Sequence, residues 1–598
     1  MSQPASRDLM EQLPVPARAM GEVIAQSFCA DGDDALAFWS ALLFAQLQQG
    51  RVCLSLDMPI EGMDLTHLAD TLVEQSPAWL STGEKAARPL VLRPDRTLWL
   101  QRYDAYDRVL RGIVRQRQQQ TGQTRDETQL QGAIDALFPN GVPAEPEHGQ
   151  RIAAAALVDR LFGLLTGGPG TGKTASIVKL LLLFLSQEED AGQSPILLLA
   201  PTGKATQRLK EGLIKTLERI RPQLPAAAWG DLLDLVDPTH SSCVVEFMTI
   251  HRALGARLQR RVGQQPFRHH AGNPLPARLV VVDEVSMVDL ALMTHLAGAL
   301  SIRTPLWLVG DAAQLESVEA GSVLTQIALD TQAPDAERAA VVLARCRLTR
   351  EQAQPHWPRA DHVQLTHNYR FGTDSRIGQL AQAVTAGDAE AFLSLIDTAE
   401  DDAVRWVRLP DEGYRIPAQA RKEILAGYQS LIDHWAAGNR EDVALLAAFD
   451  QYRILCATHD GPDGATQWNQ RIQRWIGGEG ESPEIQSVLI QSNDPVSQLY
   501  NGDTGLVWPD RDGTALFRSS DGRVQWPATM LPHHSLGWAM TIHKSQGSEY
   551  DHVAIVLPRQ GGDALLTRRL LYTALTRARR RITLLATEDA LRQMICTD

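Results

Sequence analysis

The chain has 598 residues, 44% of them hydrophobic and 22% charged, with a formal net charge of −13. That length exceeds a single hydrophobic core and predicts three or four domains of ordinary globular composition. The net acidity argues against general coating of nucleic acid, but it allows a narrow basic channel in an acidic body.

The first residues, MSQPASRDLMEQLPVPARAM, place no basic segment before an apolar one, so no secretory signal is expected. The apolar stretch IVKLLLLFL is too short to span a bilayer, and no membrane association is expected. Cysteines 29, 53, 243, 346, 456 and 596 are scattered without a C-x-x-C pair. They predict buried thiols of a cytoplasmic protein rather than a disulfide scaffold or a zinc site.

In chain order, ALAFWSALLFAQLQQGRVCLSLDM predicts an apolar helix over about 35–48, a Gly turn and a strand. PLVLRPDRTLWLQRYDAYDRVLRGIV predicts two strands leading into a helix. No catalytic motif falls in the first 130 residues.

LFGLLTGGPGTGKTASIVKLLLLFL then reads as strand, Gly-rich turn and helix. Gly167, Gly168, Pro169, Gly170, Thr171, Gly172, Lys173 and Thr174 complete the G-x-x-x-x-G-K-[ST] pattern. Glycines let backbone N–H groups turn inward around a phosphate, and the following helix presents its positive end. Lys173 can reach the β- and γ-phosphates of ATP, and the Thr174 hydroxyl can ligate Mg²⁺.

ARLVVVDEVSMVD supplies a second buried parallel strand that ends in Asp283-Glu284. Asp283 is expected to hold Mg²⁺ through water, and Glu284 to act as general base. TPLWLVGDAAQLESVEAGSVL repeats the pattern and brings Gln314, which could orient the attacking water or lie on a surface turn.

Residues 256–278 hold five Arg and no acid, and residues 559–581 hold seven Arg and one Asp. Charge alone leaves solvated faces as the simpler reading. Beyond residue 330, HVQLTHNYRF places Arg370 after a short strand, and LLYTALTRARRRITLL places Arg577 and Arg579 on a predicted helix. Both segments are expected in a second lobe, from which an arginine finger could reach the γ-phosphate. A surface ion pair is the alternative for each Arg. Thr-Ile-His occurs at 249–251 and again at 541–543, with nothing similar around the two copies.

The ordered set GGPGTGKT, APTGKA, TIHRALG, VVVDEVSM, GDAAQLESVEAGSVL, LTHNYRF, TIHKSQGSEYDHV and LLYTALTRAR resembles the superfamily-1 helicases. QLESVEAGSVL, ILCATHDGPDG and NGDTGLV narrow the resemblance to the RecD family, the alpha subunits of exodeoxyribonuclease V, the RecBCD complex. It covers most of the chain from about 135 and, more weakly, the first 130 residues.

The resemblance implies an α/β fold of two RecA-like parallel-sheet lobes. It assigns 1–130 to a mostly helical partner-docking domain, 131–360 to lobe one, 361–480 with 536–598 to lobe two, and 481–535 to an SH3-like β insertion. A basic hairpin over about 256–276 would split the duplex near Phe267.

The resemblance further implies that Gln150 reads adenine and that Gly547 and Glu549 contact the nucleotide. Pro201, Thr202, Lys204, Thr249, His251, Thr541 and His543 would grip DNA. The two Thr-Ile-His copies would be matching grips on the two lobes rather than a repeat of fold. The implied activity is ATP-dependent 5′-to-3′ helicase action on single-stranded and duplex-end DNA, in a heterotrimer with RecB-like and RecC-like subunits. The nuclease would reside in a partner. An RNA or RNA–DNA helicase, and a structural subunit with a dispensable ATPase, are the alternatives.

Overall fold

The computed structural model describes residues 9–597 apart from 12, 30–32, 49, 58–65, 83–87, 121–125, 139–147, 189–193, 258–264, 316–320, 322, 325–326, 328–335, 354–360, 373–374, 398–401, 411–412, 438–441, 478–484, 495, 498, 509–512, 519–524 and 560–565.

Short β-branched and leucine runs such as Leu279–Val282 (LVVV) are buried at every position, as strands covered on both faces by helices must be. They build a six-stranded parallel sheet. From one edge it runs Val245–Thr249, Ile196–Ala200, Leu279–Val282, Leu306–Gly310, Phe162–Gly167 and His362–Leu365.

A second, five-stranded parallel sheet runs Ala539–Thr541, Tyr452–Cys456, Tyr550–Val556, Ala578–Ala586 and Val404–Arg408. Numbered along the chain within each lobe, both sheets have the order third, second, fourth, fifth, first. The first sheet adds His362–Leu365 beyond its first strand. The fold is therefore repeated, contrary to the expectation of matching grips without a repeat.

The added strand moves a boundary. His362–Leu365 pairs with Leu164–Gly167 of the P-loop strand, so lobe one extends past residue 360. The LTHNYRF segment leaves the same sheet edge as the P-loop. Parallel pairing with a buried strand decided this, and no local pattern in the sequence distinguishes the two lobes as owner.

Within lobe two, the link between the second and third strands carries the helix Ala465–Gly477 and a five-stranded antiparallel sheet spanning Gln486–Leu536. The first 119 residues supply a four-stranded sheet with the helices Val15–Phe28, Asp34–Gln48, Thr66–Gln75 and Gln101–Gln119. The last of these lies along Leu290–Gly298 of lobe one, where the Thr294 hydroxyl donates to the Tyr106 carbonyl at 3.2 Å. Arg117 donates to the carbonyls of Ser301 and Thr304, and burial lowers its pKa to about 10. Val52, Trp99, Leu110 and Val114 share one core with Phe162, Leu164 and Val282. Removal of residues 1–125 would thus open the back of lobe one.

Among the described residues, Cys346 and Cys456 are buried, Cys29, Cys53 and Cys243 are partly buried, and Cys596 is exposed, so burial of all six is not borne out. No described helix is long and apolar enough to cross a membrane.

Candidate active site and nucleic-acid interface

The P-loop leaves the strand Phe162–Gly167 and ends as the helix Lys173–Leu185 begins. Gly170 and Gly172 both have φ of +83°, where an L side chain is strained. A Cβ on Gly170 would lie 2.5 Å from the Arg370 Cβ, and one on Gly172 would lie 2.3 Å from the Gln150 amide nitrogen. These glycines admit neighbours from two other segments. Lys173 Nζ donates to the carbonyls of Gly167 at 2.7 Å and Gly168 at 3.1 Å. The Thr171 hydroxyl donates to the Gly168 carbonyl at 2.8 Å.

LTHNYRF lies on this loop. The Tyr369 N–H donates to the Gly170 carbonyl at 2.8 Å, and the Asn368 amide donates to the Pro169 carbonyl at 2.8 Å. Asn368 Oδ1 accepts from the N–H groups of Arg370 and Phe371, a local turn that aims Arg370 across the loop. Arg370 Nη2 meets Glu549 of lobe two at 2.6 Å. Its Nη1 is buried without a hydrogen-bond partner among the described residues. A buried guanidinium nitrogen left open costs about 1–3 kcal/mol unless something fills the place. Beside a glycine cradle and Lys173, a polyphosphate fits that donor set.

Asp283 follows the strand Leu279–Val282. Burial and the neighbouring Glu284 push its carboxyl up, while Lys173 opposes the shift. Glu284 holds φ at +53°, a sparsely populated conformation of the kind found where position matters more than local energy. Mg²⁺ bound with phosphates takes only one or two protein oxygens, which Thr174 and Asp283 can provide. Among the described residues no group of three or more His, Cys, Asp or Glu could hold a metal alone. Asp311 and Gln314 follow the strand Leu306–Gly310, both are buried, and Gln314 Nε2 donates to Asp311 Oδ2 at 3.0 Å. Gln314 is therefore no surface turn.

From lobe two, the helix Arg568–Leu575 ends before Arg577, and Arg579 already belongs to the strand Ala578–Ala586, so neither Arg is helical as expected. Arg577 is buried and donates to the carbonyls of Thr573 and Ser548, each at 3.2 Å. Glu549 lies between Arg370 and Arg579. Burial alone would raise the Glu549 carboxyl, but Arg370 and Arg577 outweigh it and hold the carboxyl down to about 2.

The two Thr-Ile-His copies sit at equivalent places. Each Thr ends the edge strand that is third in its own lobe. Thr249 Oγ1 accepts from the Arg252 N–H at 3.3 Å, and Thr541 Oγ1 accepts from the Lys544 N–H at 3.4 Å. His251 is exposed. His543 is partly buried, and burial lowers its pKa, leaving a neutral ring at pH 7. Pro201 leads into Thr202, which caps the helix Gly203–Ile220 by accepting from the Ala205 N–H.

The β insertion covers this corner: the Tyr500 ring lies 3.1 Å from where a Cβ on Gly203 would stand, and Lys204 Nζ donates to the Gly502 carbonyl at 3.2 Å. Phe267 is buried, with its ring 5.2 Å from His295, and Ala256 bridges it in antiparallel fashion. It forms the base of a hairpin rather than an exposed wedge. Residues 258–264 of the expected basic hairpin lie outside the described residues.

The AAA domain family matches residues 150–320, and the UvrD-like helicase C-terminal domain matches 536–585. The RecBCD enzyme subunit RecD of Mycobacterium tuberculosis is 34% identical over 96% of this chain and 91% of its own length. The chain belongs to the RecD family.

Another RecD-family relative, the RecBCD enzyme subunit RecD of Haemophilus influenzae, is 32% identical over 77% of this chain and 72% of its own length. The ATP-dependent RecD2 DNA helicase of Deinococcus radiodurans is 29% identical over 74% of this chain, which spans 49% of that protein. Pif1 helicase from Bacteroides, solved with ADP-AlF3 and ssDNA, matches at TM-score 0.34 and 16% identity over 72% of this chain and 89% of its own. That likeness is too distant to place a residue.

In this RecD-family chain three residues join the site that sequence patterns did not single out. Tyr369 is exposed, and its ring edge lies 3.5 Å from a Cβ on Gly172, beside Gln150. In LTHNYRF the sequence points to Arg370 alone. Arg208, on the helix after APTGKA, faces Glu549 and Arg577 of lobe two closely enough to bias Glu549. Tyr572 reaches the P-loop from lobe two, where a Cβ on Gly168 would lie 3.1 Å from its hydroxyl. Nothing local marks these residues: Arg208 and Tyr572 become site residues through interlobe contacts, and Tyr369 through the strand pairing that lays its segment on the P-loop.

Proposed function

We propose that this RecD-family, ATP-dependent DNA helicase moves 5′ to 3′ on single-stranded DNA as the alpha subunit of a RecBCD-type helicase–nuclease. One observation carries the mechanism. The P-loop glycines, Arg370 and Glu549 form a closed contact between lobes, while the two Thr-Ile-His turns stand at matching edges of those lobes.

Lys173 and the P-loop N–H groups bind the phosphates of ATP, and Gln150 with Tyr369 borders the base. Thr174 and Asp283 would hold Mg²⁺, which would supply neutralisation of phosphate charge. Glu284 takes the proton of the attacking water, which Gln314 orients. Arg370 and Arg577 neutralise charge that develops on the γ-phosphate. Asp283, flanked by Glu284 and Lys173, would meet the cation as a carboxylate.

Because Arg370 and Glu549 join the lobes, binding and hydrolysis shift one lobe against the other. Thr249 and His251 then move relative to Thr541 and His543. Such side chains bond phosphate and sugar without reading base edges, which suits a motor indifferent to sequence.

Membership of a heterotrimer with RecB-like and RecC-like subunits is supported by relatives bearing that name over nearly their whole length. It is supported further by the helix Val15–Phe28, which leaves Val23 and Phe28 more than half exposed, at 54% and 55%. The test is unwinding by the assembled complex, carrying an inactivated partner motor, on duplexes with a 5′ or a 3′ tail. Only the 5′-tailed DNA should open, and only with ATP. Opening of the 3′-tailed duplex would reverse the polarity, and equal action on an RNA tail would favour the broader helicase reading.

A further inference from the structure

We propose that Tyr572 is a positioning residue that fixes Asp311 and, through it, Gln314, so that water orientation depends on where lobe two sits. The proposal rests on the reading of Gln314 as the residue that orients the attacking water.

The Tyr572 hydroxyl donates to Asp311 Oδ2 at 3.3 Å, across the lobe boundary. The same oxygen accepts from Gln314 Nε2 at 3.0 Å. One carboxylate oxygen therefore holds the candidate γ-phosphate sensor on one side and a lobe-two hydroxyl on the other. Two further bonds keep the segments in register. The Leu315 N–H donates to Thr573 Oγ1 at 2.9 Å, and Gln546 Nε2 donates to the Leu315 carbonyl at 3.2 Å.

The chain after Gln314 is thus gripped by residues that adjoin Arg577 and Glu549 in sequence. Tyr572 also overhangs the P-loop at Gly168, so a shift of lobe two moves the hydroxyl against both the cradle and the sensor. Burial and the Asp311 carboxylate raise the pKa of Tyr572 well above that of a free phenol, so it remains a donor throughout the working pH range. The 3.3 Å separation is long for an O–H···O bond and leaves room to tighten as the lobes close.

The competing account is packing alone, since the Tyr572 ring lies in the lobe-two core with Leu571 and Leu575. A phenyl ring would pack equally well, so the hydroxyl separates the two accounts.

Tyr572→Phe, Asp311→Asn and the double variant are to be compared with wild type in the full chain, by ATPase rate with and without single-stranded DNA and by melting temperature. Tyr572→Phe should lower DNA-stimulated kcat about 10-fold, the loss of one charge-assisted hydrogen bond in the transition state, with KM for ATP within about 2-fold and melting temperature unchanged. The double variant should be no slower than Asp311→Asn alone. Wild-type kcat in Tyr572→Phe, strictly additive losses in the double variant, or a loss that only follows a lowered melting temperature would each overturn the proposal. A wild-type chain lacking DNA-stimulated ATPase would instead fail the helicase reading itself.

Discussion

The two lobes share one strand order, yet only the first can cradle a phosphate. After the first strand of lobe one come GGPGTGKT and a helix that starts at Lys173. After the first strand of lobe two, Val404–Arg408, comes LPDEGYRIP, with Pro417 capping the helix Ala418–Gly427. One glycine stands in that stretch against four in GGPGTGKT, and a proline precedes the helix where lobe one has Gly172, so the residues a phosphate cradle needs are missing from the sequence there. Lobe two keeps the rigid sheet and loses the cradle. It brings Glu549 to Arg370 and Tyr572 to Asp311 and Gly168, and ends its own edge strand in a Thr-Ile-His turn. Duplicating a fold thus supplies matched geometry on both sides of a cleft, while one altered turn decides which copy does chemistry.

The division of labour between the lobes is most exposed at the charges lobe two contributes. Arg577→Ala should bind ATP near normally and hydrolyse it roughly 10³-fold more slowly. Unchanged turnover would reduce lobe two to a DNA grip. Lys173→Gln, on the cradle itself, should cost about 10²–10³-fold in ATPase while the chain stays folded by circular dichroism. Near-normal DNA-stimulated hydrolysis in that variant would remove the site from lobe one.

Equivalence of the edges predicts a smaller, paired effect. Thr249→Val and Thr541→Val should each weaken single-stranded DNA binding about 5-fold, by loss of a single hydrogen bond. A loss confined to one of them, read by fluorescence anisotropy, would make the grips unequal.

The Glu549 contact yields a pH test. Its folded-state pKa, held down to about 2, lies below its unfolded value, so its contribution to stability is full above about pH 4.3 and fades as pH falls towards 2. The gap in melting temperature between wild type and Glu549→Gln should therefore be largest at pH 7 and shrink below about pH 4. A gap undiminished at pH 3 would trace the stabilisation to something other than the ion pairs. Least of all, Val23→Glu with Phe28→Glu should leave ATPase within about 2-fold while abolishing co-purification with the partner subunits. Retained co-purification would move the interface to the lobes.

The sequence by itself determined the parts whose chemistry is local. Gly167 to Thr174 can be read at sight because a phosphate cradle needs glycines, a lysine and a helix start within eight consecutive residues. LVVVDE and LWLVGD are legible for a like reason: a buried parallel strand is an apolar run, and ligands gather where it ends. The N-terminal helix Asp34–Gln48 and the strands Leu90–Leu92 and Thr97–Leu100 follow the patterns that announced them.

Only the tertiary structure decided ownership and pairing. HVQL has no signature that says which sheet it joins, since hydrogen bonding to Leu164–Gly167 is a contact across about 200 residues of chain. Phe267 reads as an aromatic in a basic insertion and becomes a core residue because His295 and the helix beneath it offer an apolar bed. Tyr572 looks like one more apolar position in LLYTALTRAR. It gains its place at Gly168 and Asp311 only when the second lobe docks on the first, because its hydroxyl has no partner within its own helix to announce it.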